Sequence, residues 1–200
     1  MKMPEKSSTL PSVPEKLKQA GYSTSFLYGG DINFTNMQSY LWSNGYDCIE
    51  SDRDFTLSER ATGAWGVTDS IVFDRLFDEL VSVTERPWHK AVLTLSSHEP
   101  FDVPYDRLDD KILNSFAYTD HCLGRFVDRL SQTPVWDSLL MVVVPDHGFC
   151  YKPTNRHYPH AHHIPMLCLG GALRTKGMVE ERIVSQSDLA ATLLSQLGIE

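Results

Sequence analysis

The stretch "LLMVVVPDHGF" (Leu139–Phe149) decides the fold class. A continuous apolar run rich in valine, stopped by a proline, fits a strand buried on both faces, as in parallel sheets covered by helices. The run ends in Asp146, His147 and Gly148, which have no use in a hydrophobic core. A carboxylate next to an imidazole suits a borderline divalent ion such as zinc or manganese, and Gly148 lets the backbone turn sharply beside them. Adjacent ligands on an irregular loop can both face one ion, which the alternation of a strand forbids. The alternative is that Asp146 merely starts a turn, with His147 on the surface.

Outward from that strand, helical and extended patterns alternate. "IPMLCLGG" (Ile164–Gly171) repeats the apolar run, "TSFLYGG" (Thr24–Gly30) reads as a buried strand stopped by two glycines, and "KAVLTLSS" (Lys90–Ser97) as a strand leading into His98. "PEKLKQAG" is a short helix bracketed by Ser12, Pro14 and Gly21, and "NMQSYLWSNG" (Asn36–Gly45) a second one. In "IVFDRLFDELVSV", Val72, Phe73, Leu76, Phe77 and Leu80 recur at helical spacing behind the potential caps Thr68, Asp69 and Ser70. "ILNSFAYTDHCLGRFVDRL" places Leu113, Phe116, Ala117, Leu123, Phe126, Val127 and Leu130 on one face, and Ser187 caps "DLAATLLSQLG", with Leu197 turned inward. "HEPFDVPYDRLDD", rich in Pro and Asp, is loop. The fold class is therefore α/β.

The chain has 200 residues, 42% of them hydrophobic and 22% charged, which suits one globular domain. Its formal charge of −8, without clustered Lys and Arg, excludes a general nucleic-acid binder. No apolar run reaches the roughly 20 residues that span a bilayer, so the chain by itself reads as soluble. Cys48, Cys122, Cys150 and Cys168 match no zinc spacing and read as free thiols, mostly buried.

Ligands of open α/β sheets bind outside the carboxyl ends of the strands. Three strand ends carry polar clusters: Gly29-Gly30-Asp31, Ser96-Ser97-His98-Glu99 and Asp146-His147-Gly148. Parallel strands would bring all three together. His98 could donate a hydrogen bond or proton to a bound anion, or cap its own loop. Asp31 could hold a ligand hydroxyl, or form an Asx-turn. The loop "RHYPHAHHIP" packs Arg156, His157, His160, His162 and His163 into eight residues, of which His162 and His163, next to a strand, are the better placed for a phosphate or a second metal. Trp65 either walls a pocket or plugs the core. A Ser-His-Asp hydrolase on Ser96 or Ser97 lacks the G-x-S-x-G elbow.

"SFLYGGDINFTNM", "WGVTDSIVFDRL", "LTLSSHEPFDVP", "NSFAYTDHCLGRFV", "VVVPDHGF" and "HHIPMLCLGG" occur in the order found in lipoteichoic-acid-synthase-like phosphoglycerol transferases, sulfatase-like members of the alkaline phosphatase superfamily. Residues 1–12, polar and interrupted by prolines, read as an entry segment, and by that resemblance residues 13–200 are the C-terminal part of a catalytic domain. The resemblance implies in addition a mixed, mostly parallel sheet sandwiched by helices. The resemblance implies a divalent ion, commonly manganese with zinc or magnesium as alternatives, held by a Glu, a nucleophilic Thr and the Asp-His pair. Asp146 and His147 match that pair; the Glu and the Thr are expected upstream of this chain, which then holds no catalytic nucleophile. It implies also that His98 contacts the substrate phosphate, with Asp31, His162 and His163 on the acceptor side. Thr35 and Met37 stand where lipoteichoic acid synthases carry a Trp and an Arg, so the transferred group stays open. The implied partners are a phospholipid or other phosphodiester, such as phosphatidylglycerol, and a glycan or lipid acceptor. The implied location is outside the cell membrane, behind an N-terminal anchor. A sulfate-ester hydrolase of the same fold and an inactive binding fragment are the alternatives.

Overall fold

The structure, a computed structural model, describes residues 10–84, 87–149, 151 and 162–199. It divides into two compact units, one of Met1–Val127 with Arg182–Glu200 and one of Asp128–Glu181.

The first unit is built on β1 (Ser23–Tyr28), the centre of a three-stranded, wholly parallel sheet of order β2–β1–β3. β2 spans Cys48–Glu50 and β3 Trp88–Leu93. Helix α1 (Val13–Gln19) precedes β1; the Ser12 hydroxyl accepts from the Glu15 amide at 3.2 Å and Pro14 sits in the first turn. Helix α2 (Met37–Ser43) connects β1 to β2, and α3 (Leu57–Arg60) and α4 (Asp69–Ser82) connect β2 to β3. β3 stops at Leu93 rather than at Ser97, because the Leu95 and Ser96 amides turn to the Asp69 carboxylate instead of a neighbouring strand.

Strand alternation sends Phe26, Tyr28, Ala91 and Leu93 to one face, where they pack with Ile32, Leu41 and Tyr46. Leu27, fully buried, belongs to the opposite face, and α4 packs against β1 with Val72, Phe73, Leu76 and Leu80 buried. Helix α4 also ties both outer strands by charge. Arg75 reaches Glu50 of β2 at 2.7 Å and Glu79 one turn on at 2.8 Å, and Glu79 pairs with Lys90 of β3. Burial pushes the Glu50 carboxyl up against the opposing pull of Arg75.

Helix α5 (Lys111–Leu130) begins where the Asp110 carboxylate accepts from the Ile112 and Leu113 amides, at 2.9 and 3.0 Å. Its buried line runs through Tyr118, Cys122, Phe126 and Leu130, with Asn114 and Ser115, while Leu113 is exposed. This is rotated from the face the apolar pattern predicts. The reason is polar pairing: Asn114 serves the Arg107 and Leu108 amides and the Leu108 carbonyl, and the Ser115 hydroxyl donates to the Ile112 carbonyl. Phe126 stacks on Phe73 of α4 at 5.3 Å.

Helix α6 (Asp188–Gln196) contacts α1 and ends at Gly198, φ +69°. Ser187 does not cap it. Its backbone is helical and its hydroxyl bonds to that of Ser185 at 2.7 Å, and Leu197 is exposed rather than inward.

The second unit contains a short 3-10 turn, Pro134–Ser138, and the antiparallel pair β4 (Met141–Val143) and β5 (Leu167–Leu169). β4 is thus shorter than the apolar run, half-buried rather than covered on both faces, and not parallel to its partner. Of the described cysteines only Cys122 is buried; Cys48 and Cys168 are exposed, and all three are free thiols. Among the described residues no helix is long and apolar enough to cross a membrane.

Two outcomes follow from this packing. Leu27→Ala at the fully buried centre of the sheet lowers the unfolding free energy by about 3 kcal/mol, read from the denaturant midpoint. The second concerns His89, whose Nε2 lies 3.4 Å from the Tyr46 hydroxyl and whose imidazole burial holds below its ordinary 6.5. The folded chain then binds fewer protons at this site than the unfolded one, so stability is full above the unfolded value and is lost as pH falls through 6.5 toward the folded one. Unfolding titrations between neutral and mildly acid pH check this, and His89→Gln flattens the decline.

Candidate functional site

Two of the three polar clusters lie on the carboxyl edge of the parallel sheet. After β1 the chain passes Gly29 and Gly30, and the loop Gly63–Val67 lies directly on them: the Val67 amide donates to the Gly29 carbonyl at 2.8 Å. Gly66 sits at φ +141°, and a Cβ there would stand 2.2 Å from the Gly29 carbonyl oxygen. Asp31 follows, and its Oδ1 accepts from both the amide and the side-chain amide of Asn33, each at 2.9 Å. These bonds make the Asx-turn and hold the exposed carboxyl below its ordinary value. Among the described residues three other than glycine have positive φ, Thr35, Asn36 and Phe101, and they follow β1 and β3 at this edge.

The β3 end is organised by Asp69, the first residue of α4 and wholly buried. Its Oδ1 accepts from the Leu95 amide at 2.8 Å and the Ser96 amide at 3.1 Å, and its Oδ2 from the Thr119 hydroxyl of α5 at 2.6 Å. In return the Asp69 amide donates to Ser96 Oγ at 2.9 Å. A buried carboxylate costs several kcal/mol unless its lone pairs are filled, and here three donors and a helix N-terminus fill them. Ser96 is thereby committed to holding the loop rather than to attack.

Beyond Ser96, the Leu95 carbonyl accepts from the His98 amide at 3.0 Å. His98 Nδ1 lies 2.9 Å from the Glu99 carbonyl, so the neutral ring carries its proton on Nδ1 and presents Nε2 as the open nitrogen. Trp65 meets His98 edge-on, ring centres 6.2 Å apart, and its indole N–H donates to the same Glu99 carbonyl. Together with Gly66, Ser96, Pro100 and Asp102 they line a cleft of about 20 Å³, room for one water-sized molecule. Trp65 is 59% exposed, so of the two readings it is the wall, not the plug.

In the second unit Asp146 and His147 form a pair of their own. Asp146 Oδ2 and His147 Nε2 are 3.7 Å apart, and both side chains are about three-quarters exposed. His147 Nδ1 lies 2.9 Å from the Gly148 carbonyl, which leaves Nε2 as the ligating nitrogen, the arrangement usual for metal-bound histidine. Two donors about 2.1 Å from one ion stand roughly 3.0 to 3.4 Å apart, so this pair fits part of a coordination sphere after a small closure. Among the described residues no group of three or more His, Cys, Asp or Glu is assembled for a metal. His162 and His163 are exposed ahead of β5; Arg156, His157 and His160 lie outside the described residues.

Sequence reasoning missed Asp69 as a site element, reading it only as a possible helix cap, since its amide partners are 26 and 27 residues away. It missed Asp52 as well. The Asp52 amide donates to the Gly30 carbonyl at 3.2 Å, and its buried Oδ1 has no partner among the described residues. No local pattern in "ESDRDF" announces this buried oxygen.

The family model described as Sulfatase matches residues 1–199. The chain is 23% identical over 218 residues to lipoteichoic acid synthase 2 of Bacillus subtilis (strain 168), covering 96% of this chain and 33% of that protein. It is 24% identical over 148 residues to phosphoglycerol transferase I of Xanthomonas campestris pv. campestris, covering 66% of this chain and 21% of the other. It thus spans about a third or less of these curated relatives. Among solved structures it resembles a protein in the alkaline phosphatase superfamily from Vibrio parahaemolyticus, with 29% identity, a TM-score of 0.85 and 98% and 49% of the two chains covered. The lipoteichoic acid synthase LtaP from Listeria monocytogenes shares the fold, with a TM-score of 0.86 at 19% identity over 99% of this chain and 55% of that one.

The glycine contact generates a test. Gly66→Ala forces a Cβ into the Gly29 carbonyl and should cost about 2 kcal/mol or more, in urea unfolding, while the Trp65 indole N–H signal moves in the NMR spectrum as its bond to Glu99 is lost.

Proposed function

The chain belongs to the sulfatase family, and on that premise we propose that it is part of a metal-dependent phosphotransferase or phosphodiesterase acting on a phosphodiester such as phosphatidylglycerol, with a cell-envelope glycan or lipid as acceptor. The observation that carries the metal part is the Asp146–His147 pair, with two ligating atoms 3.7 Å apart and the ring oriented by the Gly148 carbonyl. The phosphoglycerol part draws support from the relatives' names and from a neighbouring fold, the Streptococcus pyogenes phosphoglycerol transferase GacH in complex with sn-glycerol-1-phosphate, TM-score 0.62 at 15% identity.

Each residue of this chain then has a task. Asp146 and His147 hold a divalent ion, manganese in the first instance. Such an ion, when bound, lowers the pKa of a coordinated hydroxyl and draws off charge that builds on the transferred phosphoryl oxygens. His98, with Nδ1 occupied by Glu99, directs Nε2 outward and, once protonated, donates to a phosphate oxygen. Asp31, held by Asn33, accepts from hydroxyls of the glycerol or acceptor. His162 and His163 serve the acceptor side.

A thermal-shift titration of this chain with Mn²⁺ tests the metal assignment. Binding to the folded state at a hundredfold excess over Kd adds about 2.7 kcal/mol, hence a rise of several degrees in Tm. The rise is expected in the wild type and absent in Asp146→Ala and His147→Ala; a wild type that does not respond counts against the pair as a site. Turnover of matched phosphate and sulfate esters by the protein carrying this segment separates the phosphotransferase from a sulfate-ester hydrolase, with the phosphate ester expected to be preferred.

A further inference from the structure

We infer that Asp69 is a positioning residue for His98: it does not touch the substrate, and it sets where the His98 ring stands. The inference rests on the proposed role of His98 in binding phosphate. Asp69 has no exposed surface, yet one of its carboxylate oxygens serves the loop at the carboxyl edge. One carboxylate oxygen gathers the Leu95 and Ser96 amides, and the other takes the Thr119 hydroxyl, so α4, the end of β3 and α5 meet on one side chain. Ser96 answers through Oγ to the Asp69 amide, which closes a reciprocal pair.

The path to His98 is short. Leu95, fixed through its amide, offers its carbonyl to the His98 amide at 3.0 Å, and the His98 carbonyl accepts from Phe101 at 2.9 Å. The ring is then held from two sides, by the Glu99 carbonyl on Nδ1 and by the edge of Trp65, whose indole N–H shares that carbonyl. Removing the carboxylate frees two partly buried amides at the root of this turn. A buried donor without a partner is costly, so the turn rearranges toward water and carries His98 with it. An apolar residue here would leave the same donors unmet; that two of them are amides of the β3 loop, at the root of the His98 turn, is what a positioning role requires.

The experiment is NMR on the isotopically labelled chain, with two readouts. The first, without ligand, is magnetisation transfer between the Trp65 indole and the His98 ring. The second is the shift of the His98 ring signals on titration with sn-glycerol-1-phosphate. Asp69→Ala should lose the Trp65–His98 contact and weaken the response about tenfold or more, while the Phe73–Phe126 contact persists. Asp69→Asn, which keeps an oxygen for the two amides and lets the Thr119 hydroxyl rotate to accept, should retain both readouts. Asp69→Ala with both readouts unchanged overturns the inference. A wild type that shows the Trp65–His98 contact but no ligand shift overturns the phosphate role of His98 instead, and the first readout then judges Asp69 alone. Should Asp69→Ala fail to fold, Ser96→Ala removes only the reciprocal bond: a weakened Trp65–His98 contact in the folded variant supports the inference, and an unchanged contact overturns it.

Discussion

A charged side chain with no exposed surface constrains everything around it, because its cost in a low-dielectric interior is met only by donors in fixed places. Asp69 is that constraint. Its three donors come from the loop after β3 and from α5, and its own backbone opens α4. The helix that covers β1, the point at which β3 leaves the sheet and the start of the His98 turn are consequently one hydrogen-bonded unit. The glycine contact at Gly29 and Gly66 does the same for the neighbouring strand by steric means, admitting the Trp65 loop so close that only hydrogen fits. Both devices act at the carboxyl edge, where parallel α/β sheets place their ligands.

What was legible in the chain was periodic or local. β1, α1, α4 and α5 declare themselves through alternation, helical spacing and caps, and the loop from His98 to Asp110 through its prolines and aspartates. What was not legible depended on partners distant in sequence. The face of α5 is turned by Asn114 and Ser115, whose burial is licensed by hydrogen bonds that no hydropathy pattern encodes. β4 was overread for a related reason: an apolar run states that residues avoid water, but not how many enter a ladder or in which direction the partner runs.

The site residues divide along the same line. Asp146 and His147 are adjacent, so their pairing could be read directly, and the structure adds the ring orientation through Gly148. At Asp31 the Asx-turn, legible from Asp31 and the glycines before it, is present. Trp65 and His98 stand 33 positions apart in the chain and meet because loops from two different connections converge on one carbonyl, that of Glu99. His98 is legible from its place at a strand end and Trp65 as a wall or a plug, but no pattern in the residues pairs the two.

The charge bridge across α4 gives the sheet an asymmetry. Arg75, which reaches β2, is about half exposed, whereas Lys90 and Glu79, which secure β3, are mostly covered. Mobile ions screen exposed pairs far more than covered ones. Rising ionic strength therefore relaxes the sheet from one side only, loosening the three-residue strand β2 while β3, and the His98 turn that grows from it, keeps its anchorage.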